Sequence, residues 1–122
     1  MNYISVKKMV NLNLLNAVGA KEACELADRY LSHTPKELEK MKVLLQKKQH
    51  AELAKIAREL KIATAIFNPP RLFQLFAEME RKAELNAEIQ ELRIFLTDIM
   101  NEYQNLELTL KVFLEQHQPS LV

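Results

Sequence analysis

Between Leu85 and Phe113 an apolar side chain returns every three or four residues: Leu85, Ile89, Leu92, Leu96, Ile99, Tyr103, Leu106, Leu110 and Phe113. A strand alternates every two residues, so this spacing predicts a long helix with one continuous apolar stripe of the heptad kind. Such a stripe has to be covered, either by another chain in a coiled coil or by other helices of the same chain in an antiparallel bundle. The remaining segments are themselves amphipathic, which favours the bundle for the first half of the stripe. The last two turns, to about Glu115, are expected to overhang.

Upstream, the same face-forming spacing recurs. Ala23, Leu26, Ala27, Tyr30 and Leu31 share one helix face that ends near His33. A restart is expected at "TPKE", with Thr34 as cap, Pro35 in the first turn and Glu37 three residues after the cap; the two pieces can also form one kinked helix. Leu38, Met41 and Leu45, with Val43 or Leu44, carry its stripe. A third helix is expected from His50 to Phe67, stopped by "NPP" because the residue before a proline is pushed out of helical geometry. Leu72, Leu75, Phe76 and Met79 form the face of a fourth, and Asn86 marks the break before the heptad segment. A short helix from about Asn11 to Ala17 is expected to end at Gly19, the only glycine among 122 residues. With four prolines, that single glycine leaves little material for hairpins. The reading is an all-α antiparallel four-helix bundle with a short extra N-terminal helix, one domain over 1–122 with 1–9 and 116–122 as frayed ends.

The formal net charge of +1 gives no overall field to draw in nucleic acid or an acidic membrane. The local basic group Lys47, Lys48, His50, Lys55, Arg58 and Lys61 lacks interleaved aromatics, so nucleic acid is not the expected partner. Neither a signal peptide nor a membrane span is read from "MNYISVKKMVNLNLL", and the lone Cys24 is expected as a small core side chain of a cytoplasmic protein. One glycine excludes a phosphate-cradling loop, and no His or Cys pair has metal-ligand spacing. The many carboxylates lie at helix-surface spacing, which marks a solvated face. The chain is therefore not expected to be an enzyme, and no catalytic residue, metal or cofactor is assigned.

Within the third helix, "IARELKIATA" holds an unusual surface. Leu53, Ile56, Ala57, Leu60, Ala63, Thr64 and Phe67 gather on the expected core face, which leaves Arg58 and Lys61 on the other side. Around them stand Ala51, Ala54, Lys55, Ile62 and Ala65. A solvated helix face gains from long Glu, Lys and Gln neighbours, and alanine's high helix propensity is the plain explanation for their absence. The sharper one is a smooth docking patch centred on Arg58, since small residues let another backbone come close.

The run "IARELKIATAIFNPPRLFQLFAEME", with the upstream "YLSHTPKELEKMKVLLQKKQHAELAKIA", resembles the histidine-containing phosphotransfer (HPt) domains of two-component phosphorelays. Those domains are four-helix bundles that carry a phosphoryl group on an exposed histidine in the motif A-H-x-L-K-G-[SA]. Aligned on Ala57, Leu60 and Lys61, this chain has Arg58 at the phosphohistidine position, Ile62 where a glycine admits the partner, and Asn68 where a second glycine usually follows. The resemblance spans roughly Val10 to Leu114 in helix order, including a proline in a long helix and a polar hinge before the active-site helix. It implies a receiver domain or histidine kinase as partner. Phosphotransfer needs a nucleophilic imidazole nitrogen, which an always-protonated guanidinium cannot supply, although Arg can grip a carboxylate or phosphate through two parallel hydrogen bonds. The expectation is an HPt-like protein without the phosphoacceptor histidine, docking through the Arg58 face and modulating phosphotransfer. The alternatives are an active phosphocarrier using the non-aligned His50, or a helical adaptor that self-associates through the C-terminal heptad helix. His33, His50 and His117 are otherwise read as solvent-facing or capping side chains.

Overall fold

The computed structural model describes residues 12–117, with side chains from Val18 onward. Of the ends expected to fray, 1–9 and 118–122 lie outside the described residues, as does Asn11. Among the described residues four helices follow one another: α1 (Leu12–Gln46), α2 (His50–Ala65), α3 (Pro70–Glu84) and α4 (Ile89–His117). No strand occurs among the described residues, and no helix there is long and apolar enough to cross a membrane. Each helix packs against its neighbours in sequence and α1 closes the ring against α4, so α2 and α4 stand diagonally across an all-α four-helix bundle.

Residues 12–18 are helical, and Gly19, whose φ 84° and ψ 166° are open only to glycine, breaks the helical geometry between them and the rest of α1, at the position where the short N-terminal helix is expected to end. The expected restart at Thr34 does not occur: α1 runs through Pro35 without a second departure from helical geometry. Thr34 is fully buried rather than capping a helix, and Pro35 is exposed. The missing proline N–H therefore falls on the solvent side, where water can serve the carbonyl it leaves unpaired.

The three turns share one device. Each holds a residue in the left-handed region, Lys48 (φ 56°), Asn68 (φ 51°) and Asn86 (φ 56°). In the first, Lys48 N–H donates to Leu45 O and Gln49 N–H to Leu44 O; in the third, Asn86 N–H donates to Ala83 O and Ala87 N–H to Lys82 O. These are Schellman pairs that satisfy the last carbonyls of α1 and α3. The middle turn keeps only the inner bond, Asn68 N–H to Ala65 O, because Pro69 has no N–H to give. Asn86, expected to mark the break before the heptad segment, does so by closing α3.

The heptad stripe faces inward. Leu92, Leu96, Ile99, Tyr103, Leu106, Leu110 and Phe113 are buried along α4, and the anticipated overhang is covered at least to Phe113. Only Leu85, at 69% exposure and outside the helix, leaves the stripe. The stripe is thus used up within the chain and is not open to a second copy. From α3 come Leu72, Leu75, Phe76 and Met79, and from α1 Ala23, Cys24, Ala27, Tyr30, Leu38, Met41 and Leu45. Tyr30 meets Phe67 edge-on, with ring centroids 5.0 Å apart, and its hydroxyl lies 2.7 Å from Thr64 Oγ1 in a buried hydrogen bond between α1 and α2.

Candidate functional site

Helix α2 is amphipathic, but its inward face is turned slightly from the expected one. Leu53, Ala54, Ile56, Ala57, Leu60 and Thr64 are buried, whereas Ala63 is exposed. The core-facing direction is shifted toward α3, against which α2 packs most extensively. The close approach of these two helices covers Ala54 and frees Ala63 on the α1 side.

This rotation sorts the residues proposed for docking. Ala51, Lys55, Arg58, Ile62 and Ala65 are exposed on one outward surface. Ala54 is not part of that surface; it forms the floor beside it. Lys61 is also withdrawn, because its Nζ donates to Glu80 Oε1 of α3 at 2.7 Å with both side chains mostly covered. It serves as a clamp between helices and its charge is already matched.

Arg58 is different. Neither Glu52 nor Glu59, its nearest acidic neighbours in sequence, pairs with it, and it makes no hydrogen bond or ion pair among the described residues. Arg58 lines a concavity of about 380 Å³ together with Ala51, Ala54, Lys55, Ala83, Glu84 and Asn86. The alanines contributed by both helices keep the hollow open, while Lys55 adds a second cation without an ion-pair partner among the described residues at its rim. Such a site can receive a carboxylate or phosphate oxygen from a partner's surface.

On the other flank of the exposed α2 face, Ile62 and Ile66 border an apolar groove of about 530 Å³ whose α1 wall includes Leu26 and Tyr30. Ile62 is 64% exposed, more than a helix needs for its own core. The sequence pattern did not announce this groove, since Leu26 belongs to the expected core face of α1 and only the wedge between α1 and α2 leaves it partly open.

The histidines fall elsewhere. His50 Nε2 lies 2.9 Å from Ala87 O and Nδ1 3.3 Å from Lys48 O, so the ring ties the start of α2 to the α3–α4 turn. Hydrogen bonding of Nε2 to a backbone carbonyl occupies the nitrogen a phosphocarrier would need free. His33 is exposed, 3.7 Å from Glu37 one turn along α1, and His117 Nδ1 donates to Phe113 O at 2.9 Å. Cys24 is fully buried, and that burial, with Asp28 nearby, pushes its thiol pKa up and away from reactivity. No group of three His, Cys, Asp or Glu side chains suited to a metal ion exists among the described residues. No protein-family model, curated protein or solved structure matches this chain.

Proposed function

We propose that this protein is an HPt-like docking module of a two-component phosphorelay in the cytoplasm, one that binds a receiver domain or histidine kinase and modulates phosphotransfer without accepting the phosphoryl group. The observation that carries the reading is Arg58: an exposed arginine with no partner among the described residues, lining a hollow that holds three alanines, at the position where the resemblance calls for histidine. A receiver's acidic pocket offers the carboxylates that a guanidinium with no other partner can grip, and Ile62 beside the apolar groove supplies area for the surrounding contact. The engaged ring of His50 favours this reading over a phosphocarrier acting through that residue.

The test is a calorimetric titration of the protein with the receiver and kinase domains of its host, repeated with Arg58→Glu. A micromolar complex that weakens roughly tenfold or more in the variant, from a lost pair and a new repulsion, is the expected result. Binding to none of these domains, or an affinity that Arg58→Glu leaves unchanged, refutes the proposal. Acid-labile phosphate appearing on His50 after incubation with a phosphorylated receiver would replace it with the carrier reading.

A further inference from the structure

Helix α4 carries a second stripe on the side opposite its core face. The buried residues Leu92, Leu96, Ile99, Tyr103, Leu106, Leu110 and Phe113 occupy two positions of the heptad. Diametrically across the helix, Ile94, Thr97, Asn101, Gln104 and Leu108 recur at steps of three and four, all exposed. Ile94 and Leu108 are 64% and 52% exposed, which is wasteful on a solvated face. From Ile94 to Leu108 no residue of this outer stripe is charged, and charge returns to the face only at Lys111 and Glu115, although charged residues make up 27% of the chain. A face meant only for water would not avoid charge over four turns of helix.

The flanks of the stripe indicate what covers it. Arg93 borders it on the α1 side and Asp98 on the α3 side, and neither forms an ion pair within the chain among the described residues. With Ile94, Asn101 and Leu108 at the first core position of a heptad and Thr97 and Gln104 at the second, Arg93 and Asp98 take the two flanking positions that meet across a parallel pair of helices. Their separation of five residues is the offset between such partners. A second copy related by a two-fold axis along α4 therefore brings each Arg93 to the other copy's Asp98, twice by symmetry. An antiparallel pairing would instead set each flank against itself. Asn101, midway along the seam, is the kind of polar core residue that fixes register and a two-stranded state at a cost in affinity.

We infer that the protein forms a weak parallel homodimer through this outer face of α4. Because α2 lies diagonally across the bundle from α4, dimerisation leaves both Arg58 faces uncovered.

Analytical ultracentrifugation of the full chain over a wide concentration range tests it. A reversible monomer–dimer equilibrium is expected, weakened roughly tenfold or more by Arg93→Glu or by Asp98→Lys alone, because each change turns two attractions into two repulsions. Mixing the two variants restores association, since the carboxylate introduced in one copy then faces the ammonium introduced in the other, while the Arg93 and Asp98 that remain pair with each other. Asn101→Leu tightens the dimer. None of the three positions belongs to the core, and unchanged helical circular dichroism confirms that the variants fold. A strict monomer at every concentration overturns the inference. So does self-association indifferent to the charge reversals, or a mixture that fails to recover.

Discussion

At the scale of single residues, the buried tyrosines separate polar groups that are satisfied from one that is not. The Tyr30–Thr64 bond crosses from α1 to α2 in a dry setting, so Thr64→Val should lower stability by about 1 kcal/mol in chemical denaturation, with Thr34 left as a second hydroxyl near the phenol. Combining it with Tyr30→Phe should cost less than the sum of the single changes, which a double-mutant cycle measures. Tyr103 Oη is buried with no hydrogen-bond partner among the described residues, so Tyr103→Phe should be neutral or stabilising by up to about 1 kcal/mol. Burial pushes the Tyr30 phenol up to about 12, partly offset by hydrogen bonds with Thr64 and Thr34. The phenol of Tyr103 is raised by burial and, after that, by Glu107 and Tyr30. Unfolded tyrosine releases its proton near pH 10, when the folded protein still holds both. Stability should therefore be undiminished by these groups below about pH 10 and should fall as pH rises from there through about 12. Denaturation midpoints at stepped alkaline pH check this, and the fall should be shallower in Tyr30→Phe.

At the scale of elements, the sequence pattern located the helices well and their junctions less well. Leu72, Leu75, Phe76 and Met79 were legible as the inner face of α3 because a three-four spacing admits few other readings. Thr34, Pro35 and Glu37 matched a helix start equally well, yet α1 passes straight through them. A capping signature states only what a helix end would need; burial of Thr34 against the core decided that no end falls there. The left-handed turn residues follow from the hydrogen-bond geometry of chain reversal, and in this glycine-poor chain the job falls to a lysine and two asparagines. A lysine there carries the steric penalty of its Cβ, so Lys48→Gly should stabilise by about 1 kcal/mol. Asn68→Ala should destabilise by a similar amount. Thermal and urea unfolding of the two variants would show opposite signs; a shared sign would contradict the assignment of these turns.

At the scale of the whole molecule, a bundle of four amphipathic helices has only so many faces to cover, and where each points outward decides what the protein can offer to others. Arg58→Glu belongs here too: the position lies on the surface without an ion-pair partner among the described residues, so the effect on folding should stay within about 0.5 kcal/mol while the effect on binding is large, a contrast that unfolding and titration together would read. The periodicity of Leu92 through Phe113, the inner face of α3 and the all-helical class were determined by sequence alone, because side-chain spacing on a helix is set by local geometry. It also placed Arg58 outside the core. Sequence could not say that Lys61 is tied to Glu80 of α3, that Ala54 is covered while Ala63 is free, or that His50 spends its ring on Ala87. Each of these depends on how far α2 is rotated and how close α3 comes, quantities set by packing between residues distant in the chain. The tertiary structure likewise decided that the heptad stripe, whose last two turns were expected to overhang, is consumed inside the molecule as far as Phe113, leaving the opposite side of the same helix, uncharged from Ile94 to Leu108, as the one facing out.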